Sequence, residues 1–323
     1  MEHPLDHQQV VAAFPDLALD QEPLGQGGMK NAYRGSANGV SVVLKIVRQP
    51  LDVDDDEFDL TALPDRLIRE IGAMKSVEHP SLVRILEGPD VKVIGDAHRG
   101  WYLEPYYPGG ELTKRLGAPW PESDALDLTE RLLGVVEALA ARNIVHRDIK
   151  PDNIVYDSND IPVVLDLGIA LFLDLTPLTE SAAPSPRTPS FAAPEQFQPR
   201  RTTPLDFRTD LFLVGMVAFW ACTGTHPFHP EEREKYMERL LEGAFDEGAL
   251  EGASISDEFK QLLGRLLNKY PSGRYRKVEH AIDALRESAH EFLDSARIRE
   301  RRQDMACSGS GSTHRGRDSE SRG

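Results

Sequence analysis

The sequence predicts an α+β chain in two lobes, a small β-rich one followed by a larger, mainly helical one. Three observations carry this. Between residues 23 and 107 the apolar residues fall in short strand-like runs, with one amphipathic helical stretch among them. From residue 127 onward they recur mostly at helical spacing. Between the two regions, Pro108, Gly109 and Gly110 break both patterns.

Each element follows in order. Residues 1–19 read as an N-terminal extension. The stretch "PLGQGGMKNAYRGSANGVSVVLKIV" (23–47) reads as strand, Gly-rich turn, strand, turn, strand. Within it Asn38-Gly39 is a hairpin signal, since a two-residue turn needs residues that tolerate positive φ. The acidic run "DVDDDEFD" (52–59) is a solvated loop. In 63–77, Leu67, Ile71 and Met74 lie at i, i+4 and i+7 on one face of a helix. "LVRILEG", "DVKVIGD" and "GWYLEPYY" read as further strands.

Past the glycines, "DLTERLLGVVEALAARN" carries Leu128, Leu132, Val135 and Leu139 at helical spacing. "NIVYDSNDIPVVLDLG" reads as a hairpin around "SND". Further helices are expected over 207–222, 256–268 and 277–300, the last with an apolar stripe of Val278, Ile282, Leu285, Ala289 and Phe292. The basic "RIRERR" (297–302) reads as a solvated helix end, and the Gly/Ser-rich tail has the composition of disorder. The divisions are thus 1–19, 20–107, 108–295 and 296–323.

Composition narrows the function. With 53 acidic against 37 basic residues the formal net charge is −16. That disfavours nucleic-acid binding, which depends on excess Lys and Arg to displace counterions, and it tolerates basic protein substrates. Two cysteines, Cys222 and Cys307, cannot build a disulfide framework or a CxxC metal site, and fit a reducing cytoplasm. The longest apolar run, 211–222, is too short to insert into a membrane and reads as a helix buried on every side.

The chemistry gathers around "HRDIKPDN" (146–153). Its proline fixes a rigid loop that presents Asp148, Lys150 and Asn153 together. Phosphoryl transfer from ATP needs a covered phosphate chain, a cation, metal ligands and a group that orients the attacking hydroxyl. In chain order, Gly25, Gln26, Gly27 and Gly28 offer a backbone that can approach phosphates closely. Lys45, amid apolar residues on a strand, offers an ammonium, and Glu70 on the next helix offers it a partner. Asp148 is placed to accept a hydrogen bond from a substrate hydroxyl, and Lys150 to neutralise the transferred phosphate. Asn153 and Asp166 supply oxygen ligands for Mg²⁺, or Mn²⁺ in its place.

On these motifs the chain resembles the eukaryotic-type (Hanks-type) protein kinases over residues 20–290. "VLKI" resembles their β3 lysine motif, "HRDIKPDN" the catalytic loop, "DLG" the DFG metal motif and "APE" (193–195) the end of the activation segment. The resemblance implies the bilobal protein-kinase fold and serine/threonine kinase activity toward a protein substrate. It further implies that Asp210 hydrogen-bonds the catalytic loop from below and that Arg274 pairs with Glu195. "EPYYPGGEL" (104–112) resembles the hinge, so Glu104 and Tyr106 would adjoin the adenine, and Glu111 would reach the ribose or a basic substrate residue.

Three positions depart from the family pattern. Lys30 replaces the third phosphate-loop glycine, Leu167 the DFG aromatic, and Glu104 an apolar or hydroxyl residue before the hinge. A register shifted by one would put Leu103 there instead. The form of the catalytic loop around Lys150, together with Thr188, is similar to that of serine/threonine kinases. The resemblance implies that Arg147 receives an activation-segment phosphate, with Thr176, Thr179, Ser181 and Ser185 as candidates for autophosphorylation, the alternative being a segment ordered without phosphate. The alternatives are a pseudokinase scaffold and a small-molecule phosphotransferase. The latter lacks the APE segment and the Asp210-type helix.

Overall fold

Asn38 and Gly39 turn the chain at φ of 50° and 81° in a computed structural model of the protein. The model describes residues 5–26, 30–51, 65–166, 171–172, 191–197, 205–229, 233–290 and 292. That turn joins β3 (Lys30–Ala37) to β4 (Val40–Val47), with Ala37 opposite Val40. With β1 (Ala18–Leu19), β2 (Gly25–Gln26), β5 (Glu87–Ile94) and β6 (Ala97–Pro105) they form one antiparallel sheet. Its order is β1-β3-β4-β6-β5, with β2 also on β3.

Alternation gives this sheet two different faces. Tyr33, Val42, Leu44, Ile46, Trp101 and Leu103 form the rear core. Onto it packs α1 (His7–Ala13) through Val10 and Phe14, so the N-terminal extension is part of the lobe. Phe14 meets Trp101 edge-on at 5.0 Å. The opposite face carries Lys30, Ala32, Val43, Lys45, Val47, Tyr102 and Glu104, as the pairings Lys30↔Val47, Ala32↔Lys45, Lys45↔Tyr102 and Val43↔Glu104 require.

α2 (Asp65–Ser76) buries Ile71 and Met74 as its periodicity predicts. The side chains of Leu67 and Glu70 lie outside the described residues, as does the acidic run 52–59. The strand expected from Leu82 does not begin until Glu87. Leu82 and Val83 are instead drawn against the second lobe, where Leu82 makes a single bridge to Val164.

The second lobe is built on α4 (Phe207–Thr223), apolar around nearly its whole circumference and correspondingly buried. Asp206 caps its start by accepting from the Arg208 amide, and Gly224 ends it at φ 76°. α3 (Glu122–Ala140) packs on it with Leu128, Leu132, Val135 and Leu139 buried, and starts five residues before the periodic stretch that predicts it. α5 (Arg233–Glu242), α6 (Glu247–Gly252), α7 (Asp257–Leu266) and a helix over 278–290 complete the bundle. α5 and α6 are absent from the sequence-based expectation. Two small ribbons lie on the cleft side: β7 (Ile144–Val145) with β10 (Leu171–Phe172), and β8 (Ile154–Tyr156) with β9 (Pro162–Val164). Among the described residues no helix is long and apolar enough to cross a membrane.

Between the lobes Gly109 donates its amide to the Tyr156 carbonyl at 2.8 Å. A Cβ on Gly109 would come within 2.6 Å of Tyr156 Cβ, so only glycine lets the connection lie this close to β8.

Candidate active site

The loop between β7 and β8 is held from beneath. Asp210, in the first turn of α4, accepts the His146 amide at 2.8 Å and the Arg147 amide at 2.7 Å. This pins Arg147 at φ 70°, a conformation an arginine rarely adopts unaided. The Gln196 side chain adds a bond to the Arg147 carbonyl at 3.1 Å. Burial pushes the Asp210 carboxyl up to about 7, against the two amides that pull it down. Burial also drives the His146 imidazole down to about 4, so this histidine is neutral.

On the loop's upper side Lys150 Nζ contacts both oxygens of Asp148, at 2.9 and 2.8 Å. Asn153 Nδ2 donates to the Asp148 carbonyl at 2.9 Å and to Oδ2 at 2.8 Å. Partial burial raises the Asp148 carboxyl, while Lys150 and Asn153 counter it. Asp148 is therefore a fixed hydrogen-bond acceptor with an ammonium attached to it.

Commitment of Nδ2 to Asp148 leaves Asn153 Oδ1 as the end of the amide suited to a cation. The Leu165 amide donates to the Asn153 carbonyl at 2.7 Å, which brings the next residue, Asp166, alongside Asn153. A carboxylate and an amide oxygen are the donor chemistry a hard divalent ion takes. Among the described residues no three His, Cys, Asp or Glu gather as a metal cage. The Asn153 amide oxygen and the Asp166 carboxylate are groups that could hold Mg²⁺, which typically keeps its remaining positions for water and phosphate.

Two ammonium groups enter from the sheet. Lys45 Nζ lies 3.0 Å from Glu104 Oε2, and both side chains are buried. The pair is diagonal across β4 and β6, since Lys45 is opposite Tyr102 and Glu104 opposite Val43. Burial alone would lower the Lys45 pKa, but Glu104, followed by Tyr102 and Asp166, overrides it and holds the ammonium charged above the ordinary lysine range. Lys30 Nζ lies 3.2 Å from Asp166 Oδ1 and donates to the Tyr102 hydroxyl at 3.0 Å.

The partner that the sequence offers Lys45 is Glu70; the partner in the structure is Glu104, and the Glu70 side chain lies outside the described residues. The register is also settled here. Glu104 faces the cleft while Leu103 packs with Leu44 and Ile46 at the rear. Tyr106 donates its amide to the Ser41 carbonyl at 3.1 Å, extending the β4–β6 ladder one step past Val42↔Pro105. Its ring carries the Arg34 guanidinium at 4.2 Å.

Glu111 is half exposed and pairs with Lys114 at 3.3 Å. Gly25 and Gln26 pair with Ala32 and Asn31. Gly27 and Gly28 lie outside the described residues, as do Leu167, Thr176, Thr179, Ser181, Ser185, Thr188 and the basic end 297–302. Sequence reasoning passes over Tyr102, and marks Lys30 as a bulkier, more positive phosphate-loop position that could help phosphate binding or slow nucleotide release, without placing it beside Asp166. Counting in twos from Lys45 through the hairpin partner Ala32 puts Lys30 on the cleft face, which is the signal that was available.

Below the site Arg274 donates to Glu195 at 2.7 and 2.9 Å, and Thr209 Oγ1 adds a bond to Glu195 at 2.9 Å.

With this geometry in view, comparison with known proteins is direct. Residues 19–286 match the protein kinase domain. The chain is 28% identical over 271 residues to serine/threonine-protein kinase pkn3 of Myxococcus xanthus, covering 79% of this chain and 47% of that protein. It is 27% identical over 265 residues to CBL-interacting protein kinase 5 of Oryza sativa subsp. japonica, covering 80% and 53%. It is 26% identical over 226 residues to a probable serine/threonine-protein kinase PknB of Lactococcus lactis, covering 68% and 34%. The chain thus spans about half the length, or less, of these curated relatives. A domain match across most of the chain, on a two-lobed fold with its polar loop in the cleft, means that the chain belongs to the Hanks-type serine/threonine protein kinase family.

Proposed function

We propose that the chain transfers the γ-phosphate of ATP to serine or threonine hydroxyls of a protein. The family generally uses ATP and Mg²⁺, and its substrates are proteins. The observation that carries the reading is the convergence of Asp148, Lys150 and Asn153 on one hydrogen-bonded cluster, with Asp166 beside it and two ammonium groups above.

In this reading Asp148 accepts a hydrogen bond from the incoming hydroxyl and orients it in line. Lys150 stabilises the charge on the transferred group while it holds Asp148 in place. Asn153 and Asp166 hold the divalent ion, which supplies charge neutralisation on the phosphates when bound. The cleft face of β3, β4 and β6 covers the nucleotide, with the backbone of Gly25, Gln26, Gly27 and Gly28 meeting its phosphates in this reading and Lys45 adding positive charge. Glu111, at the cleft mouth, meets the ribose or a basic substrate residue. Autophosphorylation between Asp166 and Glu195 is part of the same proposal, with Arg147 as receiver. So is a cytoplasmic setting, which the single described cysteine, Cys222, suits as a buried free thiol.

The test is transfer of labelled phosphate from ATP to a generic basic protein, with Asp148→Asn as control. The expected result is turnover reduced about 10²–10⁴-fold in the variant. Equal label with wild type and variant removes Asp148 from the chemistry, and wild type that transfers nothing favours the scaffold reading.

A further inference from the structure

Phosphoryl transfer leaves one strongly charged stretch of the chain unused. Residues 297–302 hold four arginines against one glutamate, and they begin five positions beyond Phe292, the last described residue. The direction of the chain as it leaves the structure follows from a few contacts. Trp120, just before α3, donates its amide to the Ala221 carbonyl at the end of α4, at 2.8 Å. Asp210, at the start of α4, holds the loop that follows α3, so the two helices run antiparallel. Arg274 donates to the Arg208 carbonyl at 2.7 Å, which places the start of the helix over 278–290 near the end of α3. Arg286 then meets Glu130, midway along α3, at 3.4 Å. The last helix therefore advances along α3 toward its first turns.

An open cavity of about 470 Å³ lies there, between α3 and the turn joining β8 to β9. Trp120, Pro121 and Leu128 give it an apolar wall, and Asp124, Asp127 and Asp160 stand around it. Its own arginine, Arg115, is committed to Asp160 at 2.7 Å, to the Tyr156 ring at 3.5 Å and to the Gly109 carbonyl at 2.8 Å. Asp127 holds Arg131 at 2.7 Å. The Asp124 carboxylate accepts from the Ser123 hydroxyl at 3.0 Å and meets no cation among the described residues. An apolar wall beside carboxylates suits arginine, which lays its stem on the wall and turns its guanidinium to the charge. Reach is no obstacle. From Glu130 back to Asp124 is about 9 Å of helix, and the eleven residues from Arg286 to Arg297 span about 16 Å even at helical rise.

We propose that the chain's own basic segment, 297–302, docks in this cavity, with its arginines on Asp124 and Asp127 and their stems against Trp120. The occupant is chosen by charge and by the course of the last helix, and the inference is independent of the ATP reading. Docking there ties the end of the chain to the connection between the lobes, because Arg115 in the cavity wall holds Gly109.

The experiment is timed trypsin digestion of the full chain, followed by mass. Trypsin cuts after arginine, and the tail carries a reference site beyond the docked segment, at Arg315. The measured quantity is the rate of cutting within 297–302 divided by the rate at Arg315. Asp124→Asn with Asp127→Asn is expected to raise this ratio about five- to tenfold, since cutting follows the undocked population. High salt is expected to raise it in wild type and to leave the double variant unchanged. Asp124→Asn alone disturbs no ion pair of the fold and is expected to give part of the rise. An unchanged ratio in both variants overturns the docking. A wild-type ratio that falls as protein concentration rises gives the cavity to the segment of a second copy and overturns the intramolecular assignment.

Discussion

In the second lobe Arg274 closes on both oxygens of Glu195, and Thr209 donates to the same carboxylate. The rest of the guanidinium is taken by the carbonyls of Arg208, Asn268 and Lys269. In the first lobe Lys45 engages only Oε2 of Glu104, and Oε1 is buried with no hydrogen bond among the described residues. Both are buried ion pairs, but one is saturated and the other is not. A saturated pair welds segments 79 positions apart and has nothing left to offer a ligand. An unsaturated pair in a cleft keeps part of its bonding capacity in reserve, which costs stability and is tolerated where binding compensates.

The sharpest way to break this comparison is Arg274→Met. It strands Glu195 in a fully enclosed place, and the expected loss is about 3–5 kcal/mol by chemical denaturation. A loss below 1 kcal/mol would mean that the lower pair is no more structural than the upper one.

A second test uses the two groups sealed between the pairs. Asp210 keeps its proton up to about 7 when folded and releases it near 3.8 when unfolded, so its contribution is full below 3.8 and lost as pH rises through 7. His146 runs the opposite way. Unfolded it protonates near 6.5, folded only near 4, so its contribution is present above 6.5 and lost as pH falls to 4. Each is worth about 3–4 kcal/mol, and they nearly cancel between pH 4 and 6.5. In His146→Phe stability should therefore fall as pH rises across that window, where wild type is flat. Parallel profiles for the two proteins would show that the histidine is not enclosed.

The smallest effect belongs to the upper pair. Lys45→Met is expected to cost about 1–3 kcal/mol, because burial already raises the Glu104 carboxyl and lets it take a proton. The variant should accordingly gain stability as pH falls, and Lys45→Met with Glu104→Met should recover most of the loss. Urea denaturation of the three proteins checks this; a double variant weaker than the single would reverse the distinction between the pairs.

How much of this was legible in the sequence depends on how local the cause is. The Asn38-Gly39 turn, the face of α3 and the cluster around Asp148 are each set by residues a few positions apart, and all were readable. The Arg274–Glu195 pair was readable only through the family resemblance. The Lys45–Glu104 contact was not readable, because it depends on β4 lying beside β6 and on a diagonal across that register. The failed strand at Leu82 has the same origin, since Val164 lies in the other lobe. α5 and α6 were missed for another reason: one is mostly charged and the other is six residues with two glycines, so neither shows a strong period. The Tyr106–Ser41 bond was not readable either, because it depends on how far β4 and β6 run side by side.

Helix α1 closes the rear of the sheet with two side chains, Val10 and Phe14. Anyone excising the catalytic unit at its first strand would peel this cover away and wet Trp101, Ile94 and Val42 together. The smallest transplantable form of the lobe therefore begins upstream of its first strand, and its solubility is decided on the face of the sheet turned away from Lys45.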